Sequence, residues 1–296
     1  AAVKTVVKYA PDGHTVRSAT STLAKLVMWQ QEKPLGPNEH FCHQADYLAA
    51  QLLGPSSSCV SDWNNVLKLG YDVERLEWPK WLQHLLKVEG VQTPLPAVVR
   101  PGGVIGRVSD EVVLKYGLRP GCVVVGGTTD SIAAFIASRA NTPGQAVTSL
   151  GSTVAIKILS LTPVDDAAYG VYSHRLGDMW LVGGASNVGC AVLRQENFTS
   201  EELAALSTEI DPNVDPGTNF YPLTKTGERF PVNDPKMRPI LEPKPASRRE
   251  YLHGLLHGIA KVEAQGYAQL QQMGCTPVSQ VYTAGGGSAN AMWGRM

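Results

Sequence analysis

The sequence predicts an α/β fold, and three glycine turns set at the ends of strand-like runs carry that prediction. The first turn follows the apolar, β-branched run Cys122-Val123-Val124-Val125. Paired glycines open Gly126-Gly127-Thr128-Thr129-Asp130, and a helix-prone segment, Ser131 to Ala137, comes next. The second, Leu150-Gly151-Ser152-Thr153, lies between two strand-like runs. The third, Ala284-Gly285-Gly286-Gly287-Ser288-Ala289-Asn290, joins a strand to a helix start. Ligands of open α/β sheets bind outside the carboxyl ends of strands, where such turns sit.

The elements follow in order from caps and breakers. Ser21 caps a helix reaching about Glu32, and Asn38 caps another that runs through Asp46 to Leu53 and stops at Gly54. Pro79 suits the first turn of a helix containing Trp81, Leu82, Leu85 and Leu86, and Ser109 caps a helix that ends at Gly117. Cys122 to Val125 has the length of a buried strand, and the glycines behind it permit a sharp turn with close backbone approach. A stretch from Asp211 to Pro245, with prolines at Pro212, Pro216, Pro222, Pro231, Pro235, Pro239, Pro243 and Pro245, predicts an irregular excursion, ordered or mobile. The clearest helix runs from about Ser247 to Met273, with Leu252, Leu255, Leu256, Ile259, Val262 and Leu270 at near-helical spacing, and it is expected to pack in a core.

Composition excludes several classes of function. The 296 residues suggest roughly two domains. With 26 basic and 26 acidic residues the net charge is zero, which removes the basic footprint of a nucleic-acid binder, and no Lys/Arg run suggests a membrane patch. No stretch approaches the ~18 apolar residues of a membrane span. Five dispersed cysteines without a Cys-x-x-Cys motif point to a reduced compartment. The expected setting is a soluble protein of a reduced compartment such as the cytoplasm, with any targeting peptide upstream of Ala1. His40, Cys42 and His43 lack a second ligand pair. His253 and His257 have the i,i+4 spacing of a helical metal pair, but Gly254 stands where a zinc hydrolase places its Glu, so a solvated or packed helix face is expected and no metal site is assigned.

Two roles are open to Asp130. It could be an N-cap, its carboxylate satisfying the first helical amides. It could also take a proton from a substrate hydroxyl, because it sits at a strand's carboxyl end. The turns at Gly151 and Gly285 expose backbone N–H groups suited to anions.

Gly126 to Phe135, Thr148 to Val154 and Thr283 to Trp293 resemble three nucleotide-site segments of the FGGY carbohydrate kinases. Further matches are Ser21 to Leu26 with Trp29, Ala45 to Leu48, Ser61 to Asn65, Gly170 to His174, Gly183 to Asn187, Gly227 to Pro231 and Gly254 to Ile259, so the resemblance covers almost the whole chain. Within the family it resembles most the D-ribulose and xylulose kinase-like proteins of cyanobacteria and plant plastids, whose catalytic segment also reads Gly-Thr-Thr-Asp-Ser-Ile-Ala-Ala-Phe. The resemblance implies an actin-like (ribonuclease H-like) ATPase fold of two α/β domains, with ATP and a small-molecule sugar meeting in the cleft between them. It implies ATP and Mg2+ as cofactors, Asp130 as the catalytic base, and Gly151, Ser152, Gly285, Gly286, Gly287, Asn290 and Trp293 around the nucleotide. Residues 1–137 are expected to be the remainder of an N-terminal sugar-binding domain and residues 138–296 a truncated C-terminal nucleotide-binding domain.

Two departures accompany the match: the spacing from Lys25 to Trp29 is one residue longer than in the commonest pattern, and Ala289 replaces a longer polar side chain. The family's opening Asp-Phe-Gly-Thr-Ser-Gly type motif does not occur in these residues, and the chain is expected to be a fragment missing both ends. Three alternatives stand beside the kinase: a dinucleotide oxidoreductase, which lacks its Gly-x-Gly-x-x-Gly frame, a non-catalytic actin-like nucleotide or sugar sensor, and an inactive truncated remnant. Oligomeric state is not legible.

Overall fold

The computed structural model describes residues 1–36, 39–54 and 57–296, which divide into two compact units, Ala1–Ala134 and Phe135–Met296. The first unit is built from α1 (Ala2–Tyr9), α2 (Thr22–Glu32), α3 (Gln44–Leu53), β1 (Val60–Asp62), α4 (Lys80–Val88), β2 (Ala97–Val99), β3 (Val104–Arg107), α5 (Asp110–Tyr116) and β4 (Val123–Val125). At its end begins α6 (Asp130–Ala137), within which the chain passes to the second unit. The core of unit one collects the apolar faces of α1, α2 and α4: Val6, Leu23, Leu26, Val27, Leu82 and Leu85 are each at most 1% exposed. Burying such a side chain contributes about 1.5–3 kcal/mol, so each of these residues is a substantial support of the unit. β1 pairs with β2 in parallel and β3 with β4 antiparallel, each as a separate two-stranded sheet.

Start and stop signals hold where the chain chemistry is local. Ser21 Oγ accepts the Ala24 amide at the head of α2, Ser109 Oγ accepts the Val112 amide at the head of α5, and Gly117 ends α5 in the left-handed region. Pro79 stands immediately before α4 rather than within it. The expected cap at Asn38 lies outside the described residues, and α3 begins only at Gln44. There the Asp46 carboxylate accepts the His43 backbone N–H at 2.9 Å and lies equally close to His43 Nδ1. The strand before Asp130 departs from expectation: only three residues pair, and only Val124 is buried, while Val123 and Val125 are exposed. Alternation replaces a fully buried run because β4 has a single partner strand.

Unit two is ordered by β5 (Gln145–Leu150), β6 (Val154–Ser160), β7 (Tyr172–Leu176), β8 (Met179–Ala185), α7 (Ala191–Gln195), α8 (Ser200–Ser207), α9 (Arg248–Gln272) and β9 (Gln280–Ala284). They form one five-stranded sheet in the order β7-β8-β6-β5-β9, with β5 and β9 parallel and the other pairs antiparallel. Ser247 caps α9, which runs within one residue of the expected span at either end. Leu252, Leu255, Leu256, Ile259, Val262 and Leu270 are buried as their spacing predicts.

Glycines explain how closely α9 lies against its neighbours. A Cβ at Gly254 would stand 2.7 Å from the Phe220 ring, one at Gly258 2.8 Å from the Phe220 carbonyl, and one at Gly266 2.9 Å from Ile156 and Phe230. Gly254 is therefore a packing residue. Among the described residues no group of three or more His, Cys, Asp or Glu is placed to hold a metal ion. Burial lowers the affinity of both His253 and His257 for protons.

The proline-rich stretch from 211 to 245 forms no helix or strand, yet it is anchored. Phe220, Leu223 and Phe230 enter the core, Tyr221 bridges to Ile240, and Glu228 bridges to Asp234. The buried Glu228 carboxylate accepts from Ser186 Oγ (2.6 Å), Tyr221 Oη (3.0 Å) and the backbone amides of Asn187 and Arg229 (2.8 Å each). Such a carboxylate, held by charge-assisted bonds, ties the excursion to the end of β8. No described helix is long and apolar enough to cross a membrane.

Candidate functional site

Two sites emerge, one in each unit. In unit one, Asp130 is exposed and occupies the first position of α6. The N-cap role falls to the preceding residue: the Thr129 carbonyl accepts the amides of Ile132 (3.1 Å) and Ala133 (3.0 Å). Asp130 Oδ1 instead accepts the neighbouring Ser131 amide at 2.6 Å, and no basic side chain among the described residues forms an ion pair with it. The capping alternative for Asp130 is thus corrected by one residue, because the turn brings Thr129, not Asp130, into the half-helical position.

The turn that carries Asp130 is held from beneath. A Cβ at Gly126 would stand 2.7 Å from Val99 Cγ2 and 2.8 Å from the Arg100 carbonyl, so glycine is required there, while Gly127 faces open space. Thr128 Oγ1 accepts the Asn64 side-chain amide at 3.0 Å. Asn64 is itself placed by Asp62, only 2% exposed, whose Oδ1 accepts the amides of Asn64 (2.9 Å) and Asn65 (3.2 Å) in an Asx-turn. Burial pushes the Asp62 carboxyl above the usual carboxylate range, against these hydrogen bonds. Ser61 Oγ, Asn64 Oδ1 and Thr129 Oγ1 are buried without a hydrogen-bond partner among the described residues. Each such atom costs about 1–3 kcal/mol while it stays unpaired.

In unit two a cavity of about 1090 Å³ opens at the carboxyl ends of β5 and β9. Six of the expected residues line it: Gly151, Ser152, Gly286, Gly287, Asn290 and Trp293. Gly285 does not line it but supports it. Its φ of +84° is left-handed, and a Cβ there would stand 2.9 Å from the Leu150 carbonyl, so it lets β9 turn tightly against β5. Gly287 is equally constrained, 2.7 Å from Leu150 Cβ and 2.8 Å from the Trp293 ring. Gly286 faces open space, and a Cβ at Gly151 would touch only the Thr153 carbonyl at 3.5 Å. Neither of these two is required by packing. The helix start expected after β9 is a single 3₁₀ turn, Gly286–Ala289.

Polar contacts join segments far apart in the chain. Asn290 Nδ2 donates to Ser207 Oγ at 2.8 Å, and Asn290 Oδ1 accepts the Trp293 amide at 3.2 Å. Trp293 is 4% exposed, and its Nε1 is a buried donor without a partner among the described residues. Arg194 Nη2 donates to Ser152 Oγ at 2.9 Å. Among the described residues the lining includes Arg194 and Arg295 but neither Asp nor Glu. The volume suits a drug- to nucleotide-sized ligand, and the charge suits an anion.

Sequence reasoning misses Cys190, Arg194, Phe198 and Ser207, all supplied to the cavity by the segment from Gly189 to Ser207. One signal was present: Thr199 and Glu202 form a reciprocal capping box that marks the head of α8. The Ser207–Asn290 pair has no local signature, because 83 residues separate its members.

One unit thus carries a five-stranded mixed sheet with a glycine-lined cavity at its strand ends and the other a carboxylate at a glycine turn, which defines an α/β protein with a candidate site in each unit. A profile described as the FGGY family of carbohydrate kinases, C-terminal domain, matches residues 146–296, half of the chain, and the chain belongs to that family. Its fold is the actin-like ATPase fold shared by its structural neighbours. The chain is 25% identical over 240 residues to a gluconokinase of Bacillus subtilis (strain 168), covering 73% of this chain and 46% of that protein. It is 25% identical over 264 residues to a xylulose kinase of Klebsiella pneumoniae, covering 85% and 52%. It thus spans about half the length of the curated relatives it matches. Among solved structures, xylulose kinase from Rhodospirillum rubrum superposes with a TM-score of 0.79 at 23% identity, over 99% of this chain and 62% of that one. Plasmodium falciparum glycerol kinase with ADP superposes with a TM-score of 0.77 at 17% identity, over 99% and 62%.

Proposed function

We propose that the protein takes part in ATP-dependent phosphorylation of a ketose, with the unit-two cavity holding the nucleotide and Asp130 acting as general base. The observation that carries this reading is the cavity. Six residues expected around a nucleotide converge there from turns 135 residues apart (286 − 151), and the wall bears two arginines and no carboxylate. In this assignment residues 1–137 belong to the sugar-binding domain and residues 138–296 to the nucleotide-binding domain.

The chemistry is in-line phosphoryl transfer. The Asp130 carboxylate accepts the proton of a sugar hydroxyl while that oxygen bonds to the γ-phosphorus, and the bond to the β,γ-bridging oxygen breaks to leave ADP. Asp130 suits this role because it is exposed, forms no ion pair among the described residues, and rides on a turn held by Gly126 and Asn64. Among the described residues the cavity lining has no carboxylate, so Mg2+ would enter held by the nucleotide's phosphates and would supply charge neutralisation there. Gluconokinase and xylulose kinase relatives support a small polyol or sugar acid as acceptor. Within that class we favour D-ribulose over D-xylulose, on the likeness of Gly127 to Phe135 to the cyanobacterial and plastid branch.

The test is ATP consumption by the full-length protein with D-ribulose, D-xylulose, L-ribulose, D-gluconate, glycerol or no sugar. One ketose should stimulate turnover, and Asp130→Asn should lower kcat by about 10²- to 10⁴-fold while nucleotide binding persists. Near-normal turnover in Asp130→Asn refutes the base. Nucleotide binding without stimulation by any sugar replaces the kinase with a sensor.

A further inference from the structure

We propose that Arg194 is a polyphosphate-binding residue of the unit-two cavity, acting beside the Gly151-Ser152 turn. This rests on the reading of the cavity as a nucleotide site and adds to it a side chain that no sequence motif singled out.

The first ground is charge. The cavity wall carries Arg194 and Arg295 and no acidic residue, and among the described residues neither arginine forms an ion pair. A concavity lined by one sign of charge concentrates ligands of the other. The second ground is placement. Cys190 N–H donates to the Gly151 carbonyl at 2.9 Å and Ala191 N–H to the Ser152 carbonyl at 3.2 Å. A Cβ at Gly189 would stand 2.5 Å from Thr153 Cα. The start of α7 is therefore seated directly on the β5–β6 turn, and Arg194 on that helix reaches back to Ser152 Oγ. One of its five N–H donors is used in that bond, which fixes the guanidinium without consuming its fork.

The third ground is the space next to it. Packing does not demand glycine at 151, so the open approach there is available to a ligand. Arg295 lies in the last 3₁₀ turn, Trp293–Arg295, and none of its side-chain donors makes a hydrogen bond among the described residues. Of the two arginines, Arg194 is the preorganised one, and a preorganised donor loses less freedom on binding.

A purely structural role, pinning the Ser152 turn, predicts something different from phosphate binding, and a nucleotide series separates the two. Titration calorimetry is run with adenosine, AMP, ADP and ATP on the wild-type chain, Arg194→Met and Arg194→Lys, at constant Mg2+ and at two salt concentrations. Arg194→Met should weaken ADP and ATP by roughly ten- to a hundredfold and leave adenosine within about twofold. Arg194→Lys should recover part of the loss, and the salt dependence of ADP affinity should flatten in Arg194→Met. Arg194 is exposed, so both variants retain the core, which thermal melting checks. Equal weakening of adenosine and ADP, or unchanged ADP affinity, overturns the assignment while the nucleotide reading stands. Failure of the wild type to bind any of the four overturns both.

Discussion

The two candidate sites are built by different means. Around Asp130 in unit one, position comes from short-range turn chemistry: the Asp62 Asx-turn presents Asn64, Asn64 holds Thr128, and Gly126 lets the backbone settle on Arg100. The sheets there are two-stranded, and the main core gathers on α1, α2 and α4. The unit-two cavity comes from long-range packing. One five-stranded sheet aligns the ends of β5 and β9, and the segment from Gly189 to Ser207 supplies much of the remaining lining. A carboxylate needs only one defined neighbour turn to be presented, whereas a cavity large enough for a nucleotide needs several segments held apart at fixed spacing.

This contrast predicts different sensitivities. The largest effect is expected from a paired glycine test in unit two. Gly287→Val drives methyls into Leu150 and Trp293 and should cost about 1–3 kcal/mol of stability together with nucleotide binding. Gly151→Val should melt near the wild-type temperature yet raise KM for ATP, since its Cβ meets only the Thr153 carbonyl at 3.5 Å. Similar melting temperatures for the two variants would erase the distinction between packing glycines and access glycines.

A smaller effect is expected at the Asp130 turn. Asn64→Ala removes one hydrogen bond, worth about 1 kcal/mol, and should speed amide exchange at Thr129, Asp130 and Ser131 while exchange in α2 is unchanged. Unaltered exchange at those amides would show that Gly126 packing alone holds the turn.

The smallest effect concerns pH. Glu263 accepts from Thr148 Oγ1, which lies 2.8 Å from Tyr267 Oη, and burial raises the Glu263 carboxyl above its ordinary value of 4.5. A carboxyl whose folded pKa is raised holds its proton more tightly when folded. Its contribution is fully present below the unfolded value and is lost as pH rises through the folded one. Relative to Glu263→Gln, the wild type should therefore lose melting temperature as pH climbs above about 4.5. A difference that stays flat across that range would assign the triad no linkage.

Much of this was legible in the chain. Ser21, Ser109 and Ser247 mark helix starts because capping is satisfied within three residues, and the apolar period of α9 follows from a helix that must bury one face. Gly151, Gly286, Gly287, Asn290 and Trp293 were expected together through likeness to a family pattern, and the fold brings them to one wall. The thin, half-exposed β4 was not legible, because a β-branched run reads the same whether one strand or two flank it. Gly254 carried no sign of its contact with Phe220, which lies 34 residues earlier (254 − 220).

By itself the sequence determined the α/β class, most helix boundaries and the turns bearing Asp130, Gly151 and Gly286, since caps, periodicity and glycine act over a few residues. Only the tertiary structure decided that Thr129 rather than Asp130 occupies the cap position, that Gly285 and Gly287 are packing residues while Gly151 and Gly286 are open, and that Arg194 and Ser207 line one cavity with Trp293. Those outcomes depend on which distant backbone arrives at each position, and no local propensity encodes that arrival.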